Sequence, residues 1–158
     1  MKYSRFEELP VWQAASTLAL KVLNLGEKPA FRRRRSLRDQ LERAAPSVSN
    51  NIAEGFERGT TKELLTFLYI ARGSVGEVRS MLCIMEQMPC FGDLRFEISN
   101  LKSLSENISR QLGGWAQKLQ DPPIPGTRYL TTKTRQASQD RKERDAFLVQ
   151  LRGTQRSG

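Results

Sequence analysis

Two long stretches of this chain place apolar residues at an average spacing of 3.5 positions. The first carries two interleaved series with seven-residue repeats: Leu64, Ala71, Val78 and Met85, and Leu68, Val75 and Leu82. The second carries a matching pair: Leu94, Leu101, Ile108 and Trp115, and Ile98, Ser105, Leu112 and Leu119. This spacing is typical of long helices that pack side by side at a shallow angle. No run alternates at every second residue as a β-strand does, so the chain is predicted to be all-α.

The two stretches predict a hairpin of long helices over residues 61–88 and 92–119. Both helices are equally long, about 42 Å at the rise of an α-helix. The turn between them contains a proline and a glycine and spans only a few residues. Helices joined by so short a turn pack antiparallel.

Two further helices are predicted before this hairpin. One covers residues 10–25, with Pro10 in its first turn and apolar residues at steps of three and four. The other covers residues 36–55, with Ser36 as its N-cap and Asp39 in the capping-box position. Together the four helices predict an antiparallel up-down four-helix bundle over residues 1–120.

The composition changes after residue 120, where Pro122, Pro123 and Pro125 interrupt any helix. Few large apolar residues follow, so residues 121–158 are predicted to form a flexible basic tail, with a short helix over residues 140–151 as the alternative. The formal net charge of the chain is +9, and nearly half of this excess lies in the tail. A charge of this sign favours an anionic partner.

The chain contains no histidine and only two cysteines, Cys83 and Cys90. It therefore lacks the commonest general base near neutral pH, and two thiols alone cannot complete a tetrahedral zinc site. We predict no catalytic residue, no metal and no cofactor, and hence a binding protein rather than an enzyme. No apolar stretch reaches the length of a membrane span and no secretory signal is visible, so a cytoplasmic protein is predicted.

Arginines concentrate at the connection between the first two predicted helices. Four consecutive residues form what we call the arginine cluster, and two more follow along the second helix: Arg32, Arg33, Arg34 and Arg35, then Arg38 and Arg43. The forked, permanently charged guanidinium suits phosphate, so these residues are the predicted nucleic-acid-binding site. The alternative is an ordinary solvated charge run, partly neutralised by Asp39 and Glu42. Basic tail residues are predicted to assist: Arg128, Lys133, Arg135, Arg141, Lys142 and Arg144.

Polar residues late in the second helix and in the third form another candidate group. Antiparallel packing brings these segments together, which predicts a buried hydrogen-bond network that fixes the helix register. A binding pocket is the alternative interpretation. The predicted members are Asn51, Glu54, Gly55, Arg72, Ser74 and Glu77.

Small residues interrupt the third helix at positions 71–76. Gly73 and Gly76 each cost about 1 kcal/mol of helix stability relative to alanine. Close approach of a helix or of another subunit offsets such a cost. We therefore predict a packing seam on this face.

Several motifs then stand in a fixed order along the chain. They are Phe-Glu-Glu-Leu-Pro-Val-Trp-Gln-Ala at residues 6–14, Leu-Glu-Arg-Ala-Ala at 41–45, Asn-Ile-Ala-Glu-Gly at 51–55 and Phe-Leu-Tyr-Ile-Ala-Arg-Gly-Ser at 67–74. They resemble a bacterial family of four-helix-bundle proteins, first noted as products of intervening sequences in 23S ribosomal RNA genes and hence named ribosomal-protein-like. The resemblance covers residues 5–119. The family usually has a proline just before its Asn-Ile-Ala-Glu-Gly motif, where this chain has Ser49.

The resemblance implies an antiparallel four-helix bundle that assembles as a homopentamer, and none of its motifs implies a catalytic centre. A more distant similarity, to the accessory protein of diversity-generating retroelements, implies binding of a reverse transcriptase and of nucleic acid through a basic surface. We therefore predict a non-enzymatic homo-oligomer that binds RNA or a ribonucleoprotein through the arginine cluster. The alternative is an adaptor for a partner protein such as a reverse transcriptase, with nucleic-acid binding secondary.

Overall fold

A computed structural model describes residues 3–120, and this part of the chain is built from helices without a β-strand. The four α-helices are α1 Pro10–Gly26, α2 Arg35–Glu57, α3 Thr61–Glu86 and α4 Arg95–Gln120. Short 3-10 turns precede α1, α2 and α4 at Phe6–Glu8, Pro29–Arg33 and Pro89–Leu94. The predicted all-α class is confirmed, whereas the predicted tail lies outside the described residues.

The four helices form an up-down bundle in which α1 and α3 occupy opposite corners. Helix α2 packs against α1 and α3, and α4 packs against the same two helices. Contacts between α3 and α4 run in opposite directions along the two sequences: Arg79 pairs with Glu106 at 3.3 Å, whereas Tyr69 meets Gln120 at 2.9 Å. The predicted antiparallel hairpin is therefore present.

The apolar series of α3 supplies the centre of the core. Its members are at most 1% exposed: Leu64, Leu68, Ala71, Val75, Val78, Leu82 and Met85. On α4 the matching series is buried from Ile98 to Leu112, but Trp115 and Leu119 are only half-buried. The core therefore opens toward the C-terminal end of α4.

The predicted cap of α2 is wrong. Arg34 occupies the N-cap position without a side-chain hydrogen bond, and Ser36 already lies within the helix. The preceding turn is held by Phe31, which is 2% exposed and packs against Phe91 with ring centroids 4.9 Å apart and the ring planes tilted by 56°. Because this contact fixes the chain just before residue 34, the helix begins directly after the turn.

The other predicted helix ends differ by a few residues. Helix α2 continues past Gly55 to Glu57, and α3 ends at Glu86. Residues 92–94 belong to the 3-10 turn and not to α4, because Phe91 is buried at the same end of the bundle as Phe31. The beginning of α3 is better defined, since the Thr60 hydroxyl accepts the Glu63 backbone N–H at 3.2 Å as an N-cap.

Gly55 lies at a close approach of α2 to α3. A Cβ atom at this position would lie 2.7 Å from the Cβ atom of Phe67 and 3.2 Å from Cδ1 of Leu64. We expect Gly55→Ala to lower the free energy of unfolding by about 1–3 kcal/mol, because the added methyl group overpacks the helix contact. Urea denaturation followed by circular dichroism measures this change.

Gly114 provides the matched control, because its Cβ position in α4 has nothing within 4 Å. Gly114→Ala is expected to raise the free energy of unfolding by up to about 1 kcal/mol through helix propensity alone. Equal effects of the two substitutions would show that the tight contact at Gly55 does not constrain the bundle.

Candidate nucleic-acid interface

The arginine cluster spans the turn that leads into α2 and the first residue of that helix, and a buried anchor holds the turn. Phe31 enters the core beside Phe91, so the chain on either side of it stays at the surface. All four cluster residues are exposed, and none of them makes an ion pair within residues 3–120. Four unneutralised guanidinium groups therefore project from one end of the bundle.

A shallow depression of about 290 Å³ lies beside the cluster. It is lined by Gly26, Glu27, Lys28, Phe31, Arg32, Arg35 and Arg38. Lys28 pairs with Glu97 at 3.4 Å, which brings the first turn of α4 to the rim of this surface. The surface can offer several donors to a phosphate chain, although it is open and has no enclosed binding cavity.

Arg38 and Arg43 differ from the cluster in their surroundings. Arg38 is half-buried, and its Nε and Nη2 atoms reach Glu42 and Glu27, both at 2.7 Å. The hydrogen bond to Glu42, reinforced by the charges of Glu42 and Glu27, raises the pKa of Arg38 above its ordinary value. Arg43 lies further along α2, where its Nε donates to the Asp39 carbonyl at 3.3 Å. Arg38 is thus already engaged by carboxylates, and only Arg43 of the two keeps its charge unpaired within the described residues.

Only some of the residues predicted to form the polar network are hydrogen-bonded to one another within residues 3–120. Asn51 donates from Nδ2 to the Ser47 carbonyl at 2.7 Å and to the Ser47 hydroxyl at 3.0 Å. The Ser47 hydroxyl lies 3.1 Å from the Ser74 hydroxyl, which itself donates to the Ile70 carbonyl at 3.2 Å. The Ser47 hydroxyl therefore links α2 to α3, although Ser47 is not among the predicted members of the network.

Three predicted members lie apart from this link. Glu54 is exposed and pairs at 2.7 Å with Arg58, the residue that follows the last turn of α2. Arg72 is exposed on α3, with its guanidinium beside Gly113 of α4, and Glu77 is exposed as well. Gly55 contributes through its close packing, as described above. The structure thus brings together Asn51 and Ser74 through Ser47, and does not bring Glu54, Arg72 or Glu77 to them.

A groove of about 390 Å³ lies where the core opens at the far end of α4, and sequence reasoning missed it. Its walls come from the N-terminal segment, α1, α2 and α4: Tyr3, Leu9, Pro10, Val11, Phe56, Arg110, Gln111, Gly114, Trp115 and Lys118. The only local signal in the sequence is the Gly113-Gly114 pair inside a helix. We call this feature the α4 groove.

Residues 3–120 hold neither a metal-binding cluster nor a membrane-spanning helix. No group of three histidine, cysteine or acidic side chains there is arranged to hold a metal ion. Both cysteines are free, with Cys83 half-buried in α3 and Cys90 exposed in the following turn. None of the described helices is long and apolar enough to cross a membrane.

These features define a helical-bundle protein with a concentrated basic surface at one end. The family model of the 23S rRNA-intervening sequence protein matches residues 7–114, and the chain belongs to this family. The resemblance seen in the ordered motifs is thereby confirmed. The family name is compatible with an association with RNA. No curated protein matches the chain.

The link between α2 and α3 yields a stability prediction. Ser47→Ala removes the hydroxyl shared by Asn51 and Ser74, and we expect the free energy of unfolding to fall by about 0.5–1.5 kcal/mol. Glu54→Ala serves as the comparison, because within residues 3–120 the exposed Glu54 carboxylate pairs with Arg58 alone. Its urea midpoint is expected to stay at the wild-type value. A large loss for Glu54→Ala and none for Ser47→Ala would contradict this assignment.

Proposed function

We propose that this protein is a non-enzymatic, cytoplasmic homo-oligomer that binds RNA through the arginine cluster. The observation that supports the proposal is the exposure of Arg32, Arg33, Arg34 and Arg35 on an anchored turn, without carboxylate partners among the described residues. A charge run that served only solubility would not need a buried aromatic anchor directly before it. Membership in the 23S rRNA-intervening sequence protein family agrees with an RNA partner.

The binding mode is electrostatic. Guanidinium groups on an open surface contact phosphate oxygens, which position the RNA without reading its sequence. Binding of this kind releases counterions, so affinity falls steeply as salt rises. Several copies of one basic surface in an oligomer raise the overall affinity without any new contact.

Binding of a labelled structured RNA at a series of salt concentrations tests this proposal. The full-length protein is compared with a variant in which the four cluster arginines are changed to glutamine. We expect tight, salt-sensitive binding by the wild type. In the variant, the slope of log affinity against log salt should become shallower by up to about 3, since four phosphate contacts are lost.

A control with the same change in net charge separates the cluster from general basicity. Lys21, Lys62, Arg72 and Arg79 are exposed elsewhere on the bundle and are changed to glutamine together. We expect this control to retain most of the affinity. Equal losses in both variants, or weak binding by the wild type, would refute an RNA site at the cluster and favour the adaptor alternative.

Self-association is supported by the outer face of α3. Tyr69, Ile70 and Ile84 are 47%, 46% and 52% exposed on this face. The Cβ positions of Gly73 and Gly76 between them have nothing within 4 Å. The two glycines therefore lower the stability of α3, although no neighbour among residues 3–120 lies close enough to require them. A second copy that packs on this face would explain both the glycines and the exposed apolar side chains.

Sedimentation equilibrium tests the assembly. We expect the wild type to form a homo-oligomer, with a pentamer as the proposed state. Gly76→Glu should shift the distribution to monomer, because it places an unpaired charge in the contact. Ser103→Glu adds the same charge at an exposed position of α4 and should leave the mass unchanged. A monomeric wild type would refute self-association without affecting the test of RNA binding.

A further inference from the structure

We propose that the α4 groove is a second RNA site, which takes one unpaired nucleobase and the phosphates that flank it. This inference deepens the proposed function, because it names single-stranded RNA as the ligand and adds a site distinct from the arginine cluster. It rests on the shape of the groove, on its aromatic wall and on two cations at its edge.

The groove combines an apolar interior with a size suited to a small ring system. Its volume of about 390 Å³ falls within the range of about 300–1,000 Å³ that is usual for small-ligand sites. Leu9, Val11 and Phe56 form its buried floor. Trp115 is half-buried against the core and also lines the groove, so part of its ring faces the open space. An aromatic ring beside an open apolar space is a platform on which any base can stack.

Two cations lie at the edge of the groove on one face of α4. Arg110, Gly114 and Lys118 follow each other at steps of four residues, so about 12 Å of helix separates the two charged residues. Both are exposed, and neither makes an ion pair within the described residues. Their charge complements phosphates on either side of a base held against Trp115.

Gly114 keeps the groove open between the two cations. Nothing lies within 4 Å of its Cβ position, and any larger side chain there would project into the open space. Glycine lowers the stability of α4 at this point relative to alanine. In return, it leaves the surface of α4 between Arg110 and Lys118 open.

These features favour single-stranded RNA over duplex RNA and over an apolar peptide. Bases in a duplex are stacked and paired and cannot enter a groove, whereas an unpaired base can be splayed out onto an aromatic ring. An apolar peptide would leave the charges of Arg110 and Lys118 without partners. A base with its own phosphates satisfies the ring and both cations together.

Fluorescence of Trp115 gives a direct test in the full-length protein. Trp12→Phe leaves Trp115 as the only tryptophan and keeps an aromatic ring against Phe6, whose centroid lies 5.1 Å from that of Trp12. Titration with a short oligouridylate is expected to quench Trp115 in a saturable manner. A blunt RNA duplex of the same length should bind without quenching.

Gly114→Leu in the same background should abolish the quenching and weaken oligouridylate binding about tenfold or more, the loss expected when one stacked base is excluded. Ser103→Leu adds the same side chain at an exposed position of α4 outside the groove and should change neither quantity. Melting temperatures check that both variants fold. Lys118→Gln is a second variant, expected to lower the salt slope by about 0.7.

The possible results separate this inference from the proposed function. Oligouridylate binding that needs the arginine cluster but neither quenches Trp115 nor responds to Gly114→Leu overturns the groove site and leaves the cluster in place. Quenching that survives the four arginine substitutions supports the groove alone. Trp115 emission that stays constant throughout the titration points to another occupant of the groove and overturns the inference.

Discussion

The structure depends on the buried apolar series of α3 described above, from Leu64 to Met85, which we call the α3 seam. This face of α3 packs against both α2 and α4. Helix packing on both sides leaves little freedom for α3 to slide, because each side chain fits between those of its neighbours. The close approach at Gly55 and the Ser47–Ser74 link fix the position of α2 along the axis of α3. The arginine cluster and the α4 groove therefore lie at opposite ends of the bundle.

The seam was predictable because its signal is local and repeated. A 3.5-residue spacing over many turns has one structural solution, and every member of the α3 series is buried. The start of α2 was not predictable in the same way. Ser36 carries a good capping side chain, but the contact of Phe31 with Phe91, distant in sequence, decides where the helix begins.

The candidate sites show the same division. The exposure of the arginine cluster, on the turn before α2 and at its first residue, could be predicted because consecutive charges are rarely buried. The sequence prediction grouped Glu54 with Asn51, which lies three positions earlier on α2. Three positions turn a helix by about 300°, and the remaining difference of 60° moves Glu54 away from the contact with α3 and into solvent. The α4 groove had no comparable signal, since its walls come from four separate segments and exist only after packing.

The separation of the two cationic regions has a consequence for the length of a bound strand. Lys28 pairs with Glu97 beside the arginine cluster, whereas Gly114 marks the middle of the groove on the same helix. At 1.5 Å per residue the two places are about 25 Å apart along α4. Under the proposed function, an RNA fragment shorter than this span would engage one site at a time, whereas a longer strand would engage both and gain the effective concentration of a tethered ligand. The length of α4 would then set the shortest RNA strand that can bind both sites at once.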